Sequence, residues 1–195
     1  MRNVTTRTYQ STDYITVSEI KSHLRVFSND DDNYLIKMLD ACFNYVSNYV
    51  GYEVRKSTVD YFYTDTDIHI PARLISLTNV KYRDSAGDLQ TLDATDYDEV
   101  LTLSANYGYD ITIINAPSVY EHGWAYKVTV VEGFEKVGAS VDVSKIFPDD
   151  LRHAIYLFAE HLYTQRGSEL VGVSSSPLTW NHEHLLNPYK IREFV

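Results

Sequence analysis

Residues 31–51 read DDNYLIKMLDACFNYVSNYVG, and the spacing of apolar groups in this stretch decides how the rest of the chain is parsed. Leu35, Leu39, Cys42, Val46 and Tyr49 recur at steps of three and four, which sets them on one face of an α-helix. Ile36, Phe43 and Val50 widen that stripe. Asp31 and Asp32 fall where the positive end of the helix dipole favours carboxylates. Gly51 stands where a left-handed C-cap is wanted. The pattern predicts a helix over 31–50, amphipathic and packed on one side.

Working outward toward the N-terminus, Ser28-Asn29-Asp30-Asp31-Asp32 separates this helix from a shorter one at Val17–Val26, with Val17, Ile20 and Leu24 on one face. Thr16 and Glu19 fit a capping box, in which each side chain satisfies a backbone N–H at the helix start. Residues 1–15 are polar and without period, and are expected to form a flexible arm.

Downstream of Gly51 the period changes to two. Val59, Tyr61 and Tyr63 alternate, and Leu74–Arg83 and Asp88–Leu92 flank Asp84-Ser85-Ala86-Gly87, a hairpin turn. Tyr97–Leu103, Tyr109–Asn115 and Tyr126–Phe134 read as further strands. The span 54–134 is thus expected to be a β-rich antiparallel insert, sheet or sandwich, too long to be a loop between helices. Pro148 then opens a last long helix over 148–166, where its missing N–H has no partner to lose. Leu151, Ala154, Ile155, Phe158 and Leu162 form its apolar face, and Arg166 and Gly167 close it.

Residues 168–195 change character once more. Ser174-Ser175-Ser176-Pro177 is a linker-like break, and Trp180, Leu185, Leu186, Pro188, Tyr189, Ile191 and Phe194 follow with no regular period. Apolar anchors of this kind mark an extended docking tail, bound either to its own domain or to a neighbour. The expected fold class is α+β: a helical bundle from the N- and C-terminal helices, a β-rich antiparallel insert, and an extended C-terminal tail. The expected organisation is an arm over 1–15, one domain over 16–167 and the tail over 168–195.

Composition narrows the function. At 195 residues, with 44% hydrophobic and 23% charged, the chain is built like a globular domain. The formal net charge is −10, with acids gathered at Asp30–Asp32 and again at Asp84, Asp88, Asp93, Asp96, Asp98 and Glu99. No run of Lys and Arg in the sequence offsets them, which speaks against a protein that grips DNA and reads its sequence. The charge reads first as a solvated surface that aids solubility, and alternatively as an acidic surface past which DNA slides without sticking. The 17 tyrosines offer stiff, amphipathic contact area suited to interfaces and to strands. One cysteine, Cys42, excludes a disulfide within the chain. Met1–Gln10 lacks the apolar core of a signal peptide, and no apolar run approaches a membrane span, so cytoplasmic synthesis and no membrane contact are expected.

Catalytic constellations are hard to find. His182-Glu183-His184 offers two imidazoles, which suit a metal only in an extended segment and with a third convergent ligand. His153 and His161 lie eight residues apart on one helix, ~12 Å along its axis and too far for one ion. Glu160-His161 lacks a nucleophile, and Cys42 sits on an apolar stripe as a core thiol does. Asp96, Asp98 and Glu99 lack the glycine and terminal glutamate of a helical calcium loop. Phosphate loops, nucleophile elbows and zinc signatures do not occur. The expectation is a protein that is not an enzyme and uses no cofactor or metal.

Three stretches together carry a resemblance. The first is Val17-Ser18-Glu19-Ile20-Lys21-Ser22-His23-Leu24-Arg25-Val26, followed by Asp30-Asp31-Asp32 and the helix ending Tyr49-Val50-Gly51. The second is Phe147-Pro148-Asp149-Asp150-Leu151-Arg152-His153-Ala154-Ile155, continuing to Glu160-His161-Leu162-Tyr163-Thr164-Gln165-Arg166. The third is Leu185-Leu186-Asn187-Pro188-Tyr189-Lys190. In order and type they resemble the phage head–tail connector (adaptor) family of the gp6/gp15 type. The likeness covers about half of the chain, at both ends, while the β-rich middle looks enlarged and Lys190 stands where the family has arginine.

The resemblance implies a virion structural protein of the neck, made in the host cytoplasm. It implies a ring, typically of twelve copies, beneath the portal protein. That ring extends the DNA channel without sequence-specific binding and docks a downstream neck or tail protein. By the same resemblance the interface residues with portal and neighbouring subunits are Trp180, Leu185, Leu186, Pro188, Tyr189, Lys190, Arg192 and Phe194. The competing readings are another neck protein, such as a stopper or tail terminator, and a carbohydrate-binding module argued from the Tyr-rich sheet.

Overall fold

The computed structural model describes residues 1–102, 108–119, 123–138, 145–165 and 182–190. They form four α-helices and eight strands in two antiparallel sheets, a mixed α+β fold. The chain divides into two compact units, one gathering residues 1–8 and 55–134, the other residues 9–54 and 135–190.

In the helical unit, α1 is Val17–Leu24, α2 is Asp32–Val50, α3 is Asp149–Thr164 and α4 is His182–Leu186. The capping box forms as its residue types require. Thr16 Oγ1 accepts from the Glu19 N–H at 3.2 Å, and Glu19 Oε2 accepts from the Thr16 N–H at 2.6 Å. Gly51 ends α2 at φ 93°, a conformation that only a residue without Cβ adopts cheaply, and its N–H donates to the Ser47 carbonyl. Pro148 occupies the N-cap, one place before the first helical residue.

The buried face of α2 is Leu35, Met38, Leu39, Cys42, Phe43, Val46 and Val50. Ile36, expected to widen this stripe with Phe43 and Val50, is instead exposed, although it shares their side of the helix, two turns N-terminal to the buried Phe43. Phe43 meets Tyr14 and Phe147 in a three-ring cluster, with centroids 5.7, 5.1 and 5.6 Å apart. This cluster joins the segment before α1, the middle of α2 and the approach to α3. Arg152 of α3 adds a polar tie, donating to the Tyr14 carbonyl at 2.6 Å and lying 3.4 Å from Glu19. Tyr163 donates to Asp31 at 2.7 Å.

In the β unit, β1 (Arg2–Arg7), β2 (Ser57–Tyr63), β4 (Leu74–Arg83), β5 (Leu89–Thr91) and β8 (Tyr126–Glu132) make a five-stranded sheet in the order β1-β2-β8-β4-β5. A second sheet has the order β3-β7-β6, from Asp67–Ile70, Gly108–Ile113 and Tyr97–Thr102. Alternation fixes the register: Tyr126, Val128, Val130 and Glu132 of β8 are buried, while Lys127, Thr129 and Val131 are half-buried on the other face. The β4–β5 turn is an Asp-led turn as its residues dictate. Asp84 Oδ1 accepts from the N–H groups of Ala86 and Asp88, and Gly87 takes φ 92°.

Residues 1–15 are not the free arm that their polarity suggests. Arg2–Arg7 pairs antiparallel with β2, broken by one irregularity between Val4 and Thr6. Backbone pairing at a sheet edge needs no apolar period, and polar ties complete it. Arg2 pairs with the buried carboxylate of Glu132, and Thr5 donates to Asp60 at 3.0 Å. Residues 11–13 then form a 3-10 turn leading into the helical unit.

Candidate interaction surfaces

The C-terminal anchors fall partly outside the described residues: Trp180, Arg192 and Phe194, with the break at 174–177, lie there. Leu185 and Leu186 lie in α4, Pro188 and Tyr189 in the 3-10 turn Asn187–Tyr189, and Lys190 caps that turn. The expectation of a segment without regular structure is corrected here. Residues 182–190 pack on α3 and α2 of their own unit.

Two tyrosines of α2, one turn apart, make the seat. Tyr45 donates to Glu183 Oε1 at 3.2 Å and lies 3.3 Å from His182 Nε2. Its ring is 4.4 Å from Phe158, against which His182 stacks at 4.9 Å. Tyr49 donates to Asn187 Oδ1 at 2.8 Å, and the Lys190 ammonium stands 5.1 Å over its ring. Tyr189 donates to Asp150 at 3.3 Å. Leu186 is fully buried, so it belongs to the core of this unit and is not available to a partner. Pro188 and Lys190 remain exposed, and Leu185 and Tyr189 are half-buried. Sequence reading missed Tyr45, Tyr49 and Asp150 as partners, because a tyrosine on a helix edge looks the same whether its hydroxyl meets water or a neighbour.

His182-Glu183-His184 is helical, not extended, which turns adjacent imidazoles to different sides. His182 lies in the aromatic seat while His184 is exposed. Among the described residues no three His, Cys, Asp or Glu side chains converge as a metal set. Asp96 instead braces a turn, accepting from Asn115 Nδ2 at 3.1 Å, and the side chain of Glu99 lies outside the description. Burial pushes the Cys42 thiol up to about 12, which keeps it protonated and unreactive at neutral pH.

Burial against Phe158 and Tyr45 lowers the His182 pKa; the Glu183 charge opposes this and His161 adds to it. A histidine held below its ordinary value of about 6.5 favours the folded state while neutral, and that contribution is lost as pH falls through the window below that value. The melting temperature of the native chain is therefore expected to fall between about pH 7 and pH 5, and His182→Gln to flatten this slope. Equal slopes for both proteins would show that His182 does not feel this seat.

A second feature is the α1–α2 turn. Arg25 closes α1 at φ 58°, a left-handed position unusual for a residue with Cβ, and the Val26 N–H returns to the Lys21 carbonyl at 2.9 Å. Lys21 Nζ then bridges Asn29 at 2.6 Å and Asp32 at 2.7 Å. This braced turn presents Phe27 at 94% exposure beside an open depression of about 670 Å³ lined by Val17, Lys21, Arg25 and Val26. A large apolar side chain so exposed on a fixed turn is suited to contact with another molecule.

Comparison with known proteins gives this geometry relatives. Residues 14–101 match the model of the family described as phage gp6-like head-tail connector protein. The match takes in α1, the acidic break and α2, the first of the stretches that carry the resemblance in sequence, and runs on into the sheets. Among solved structures the chain is similar over its whole length to one in the neck of an empty GTA particle computed with C6 symmetry (20% identity, TM-score 0.76). Two more are in the virion of a native gene transfer agent (GTA) particle (20%, 0.73) and the neck of a native GTA particle computed with C12 symmetry (19%, 0.71). In each case the similarity covers 100% of this chain and 97% of the other. A search of curated proteins returned no match.

Proposed function

We propose that this chain is a head–tail connector (adaptor) subunit in the neck of a tailed phage or phage-like particle, a structural and not a catalytic component. The observation that carries this reading is the joint one: a connector-family match over 14–101 and a full-length fold likeness to neck chains. In this reading copies of the chain, typically twelve, form a ring beneath the portal protein, continue the DNA channel and dock the next neck or tail protein.

Physical features support the reading. A net charge of −10 suits a surface past which DNA travels without adhering. The exposed Phe27 on its braced turn and the tail from Trp180 to Phe194 are the segments offered to partners. Within the tail, Leu186 completes the core, and Trp180, Leu185, Pro188, Tyr189, Lys190, Arg192 and Phe194 are the candidates for contact with portal.

Electron microscopy of the purified chain mixed with portal rings tests the proposal. A ring of added density at one end of the portal is the expected result. Density at the far side of a separately added adaptor, and none on portal itself, would make the chain a stopper or terminator instead. Binding to neither would remove the neck assignment.

A further inference from the structure

We infer that the outer face of the five-stranded sheet is a subunit–subunit interface that receives the acidic face of the three-stranded sheet of a second copy of this chain; this rests on the connector reading above. The register sets Lys81 of β4 directly opposite Lys127 of β8, and Arg83 lies two residues on, on the same face. Lys127 is also opposite Phe62 of β2, with its ammonium 6.0 Å from that ring and 2.9 Å from Asp60. The Arg83 guanidinium lies 4.4 Å over Trp124, which meets Phe62 edge-on at 4.9 Å. Strand pairing has thus gathered basic and aromatic side chains on one face of a chain whose net charge is −10.

Folding alone gives no reason for Lys81. Like charges directly opposite each other across strands are destabilising. Lys127 has Asp60, but Lys81 has no ion pair among the described residues. A half-buried, aromatic-lined basic face of this kind fits an acidic protein surface, because the rings supply contact area and the cations supply register.

The same unit carries the complement. In the three-stranded sheet Asp67, Thr112 and Asp98 line up across β3, β7 and β6, and both aspartates are exposed. His69 and Asp110 form the next row of that face, 2.6 Å apart, and Asp65 precedes it in an exposed turn. The opposite face of this sheet buries Ile68, Ile70, Ile111 and Ile113. Each copy therefore bears one basic–aromatic face and one acidic face, which are different surfaces. That is the requirement for head-to-tail contacts, which close into a ring when the rotation between copies closes, as distinct from the self-matching patch of a two-fold dimer. A DNA backbone is the weaker candidate for the basic face. Too few cations converge there, and Asp60 already offsets Lys127.

Charge reversal tests the pairing on the intact chain, with copies per portal ring and ring-filling concentration read by native mass spectrometry. Lys81→Glu, alone or with Arg83→Glu, is expected to raise the filling concentration roughly tenfold or more. The melting temperature of free Lys81→Glu should hold or rise, since a Lys–Lys pair becomes Glu–Lys. Asp67→Lys with Asp98→Lys is expected to weaken filling likewise, and a chain carrying both sets of reversals to recover it. Unchanged filling by either single set, or no recovery when they are combined, would overturn the interface. So would normal filling by Lys81→Glu/Arg83→Glu accompanied by lost binding to linear duplex DNA, which would assign the face to DNA. Failure of the native chain to join portal at all would overturn the connector reading and this interface together. Native joining with unaffected variants overturns the interface alone.

Discussion

Phe43→Ala is expected to destabilise the helical unit by about 3–5 kcal/mol, the range for emptying a phenylalanine site in a packed core. Phe43 is fully buried, and its ring meets those of Tyr14 and Phe147. Those two rings come from chain segments more than a hundred residues apart, and each also touches the other at 5.1 Å. Removing the middle ring leaves both neighbours facing a void, because a close-packed interior relaxes only in part. Leu39→Ala, on the same face and equally buried, is expected to cost about 2–5 kcal/mol. Phe158→Ala is the informative contrast. Phe158 is half-buried between Tyr45 and His182, so its loss should cost less and should act mainly by loosening α4. Chemical denaturation followed by helical circular dichroism measures all three. A midpoint for Phe43→Ala equal to that of the native chain would mean that the three-ring cluster does not hold this unit together.

Much of the fold was legible because its signals are local. The α2 stripe, the Thr16–Glu19 box, Gly51 and the Asp84–Gly87 turn each lie within a few residues, and each formed where its chemistry pointed. The strands with Tyr–Val alternation were equally plain. β1 was not, because its stability comes from a distant edge: the Phe62 N–H donates to the Met1 carbonyl at 2.8 Å, and Glu132 receives Arg2. β3 was missed because four residues, Asp67–Ile70, are too few to establish a period. The basic face escaped for a related reason. Lys81, Arg83 and Lys127 look scattered in an acidic sequence, and only the antiparallel register of β4 with β8 puts them side by side. Long-range pairing of this kind is what a one-dimensional charge count cannot see. The tail was half-legible: its apolar anchors stood out, but which of them serve the core depended on Tyr45 and Tyr49 on α2.

That division within the tail can be separated by experiment. Leu186→Ala is expected to cost about 2–5 kcal/mol of stability, since the side chain is fully buried against the helical unit. Trp180→Ala, in contrast, is expected to weaken portal joining by about 1–4 kcal/mol, as loss of an aromatic anchor does. The Lys190→Glu change inverts an exposed charge that stands over the Tyr49 ring and should lower portal affinity more than stability. Deleting 182–195 is then expected to damage both properties at once, because it removes Leu186, the Glu183–Tyr45 and Asn187–Tyr49 bonds, and every proposed portal-contact residue except Trp180. Deleting only 191–195 spares every one of those contacts and should leave the melt intact while reducing co-sedimentation with portal. The pair of truncations decides the role of the segment. Full portal binding by the 191–195 deletion and by Trp180→Ala would leave the tail as a structural strap of the helical unit. An unchanged melting temperature for Leu186→Ala would instead show that α4 is not part of that core.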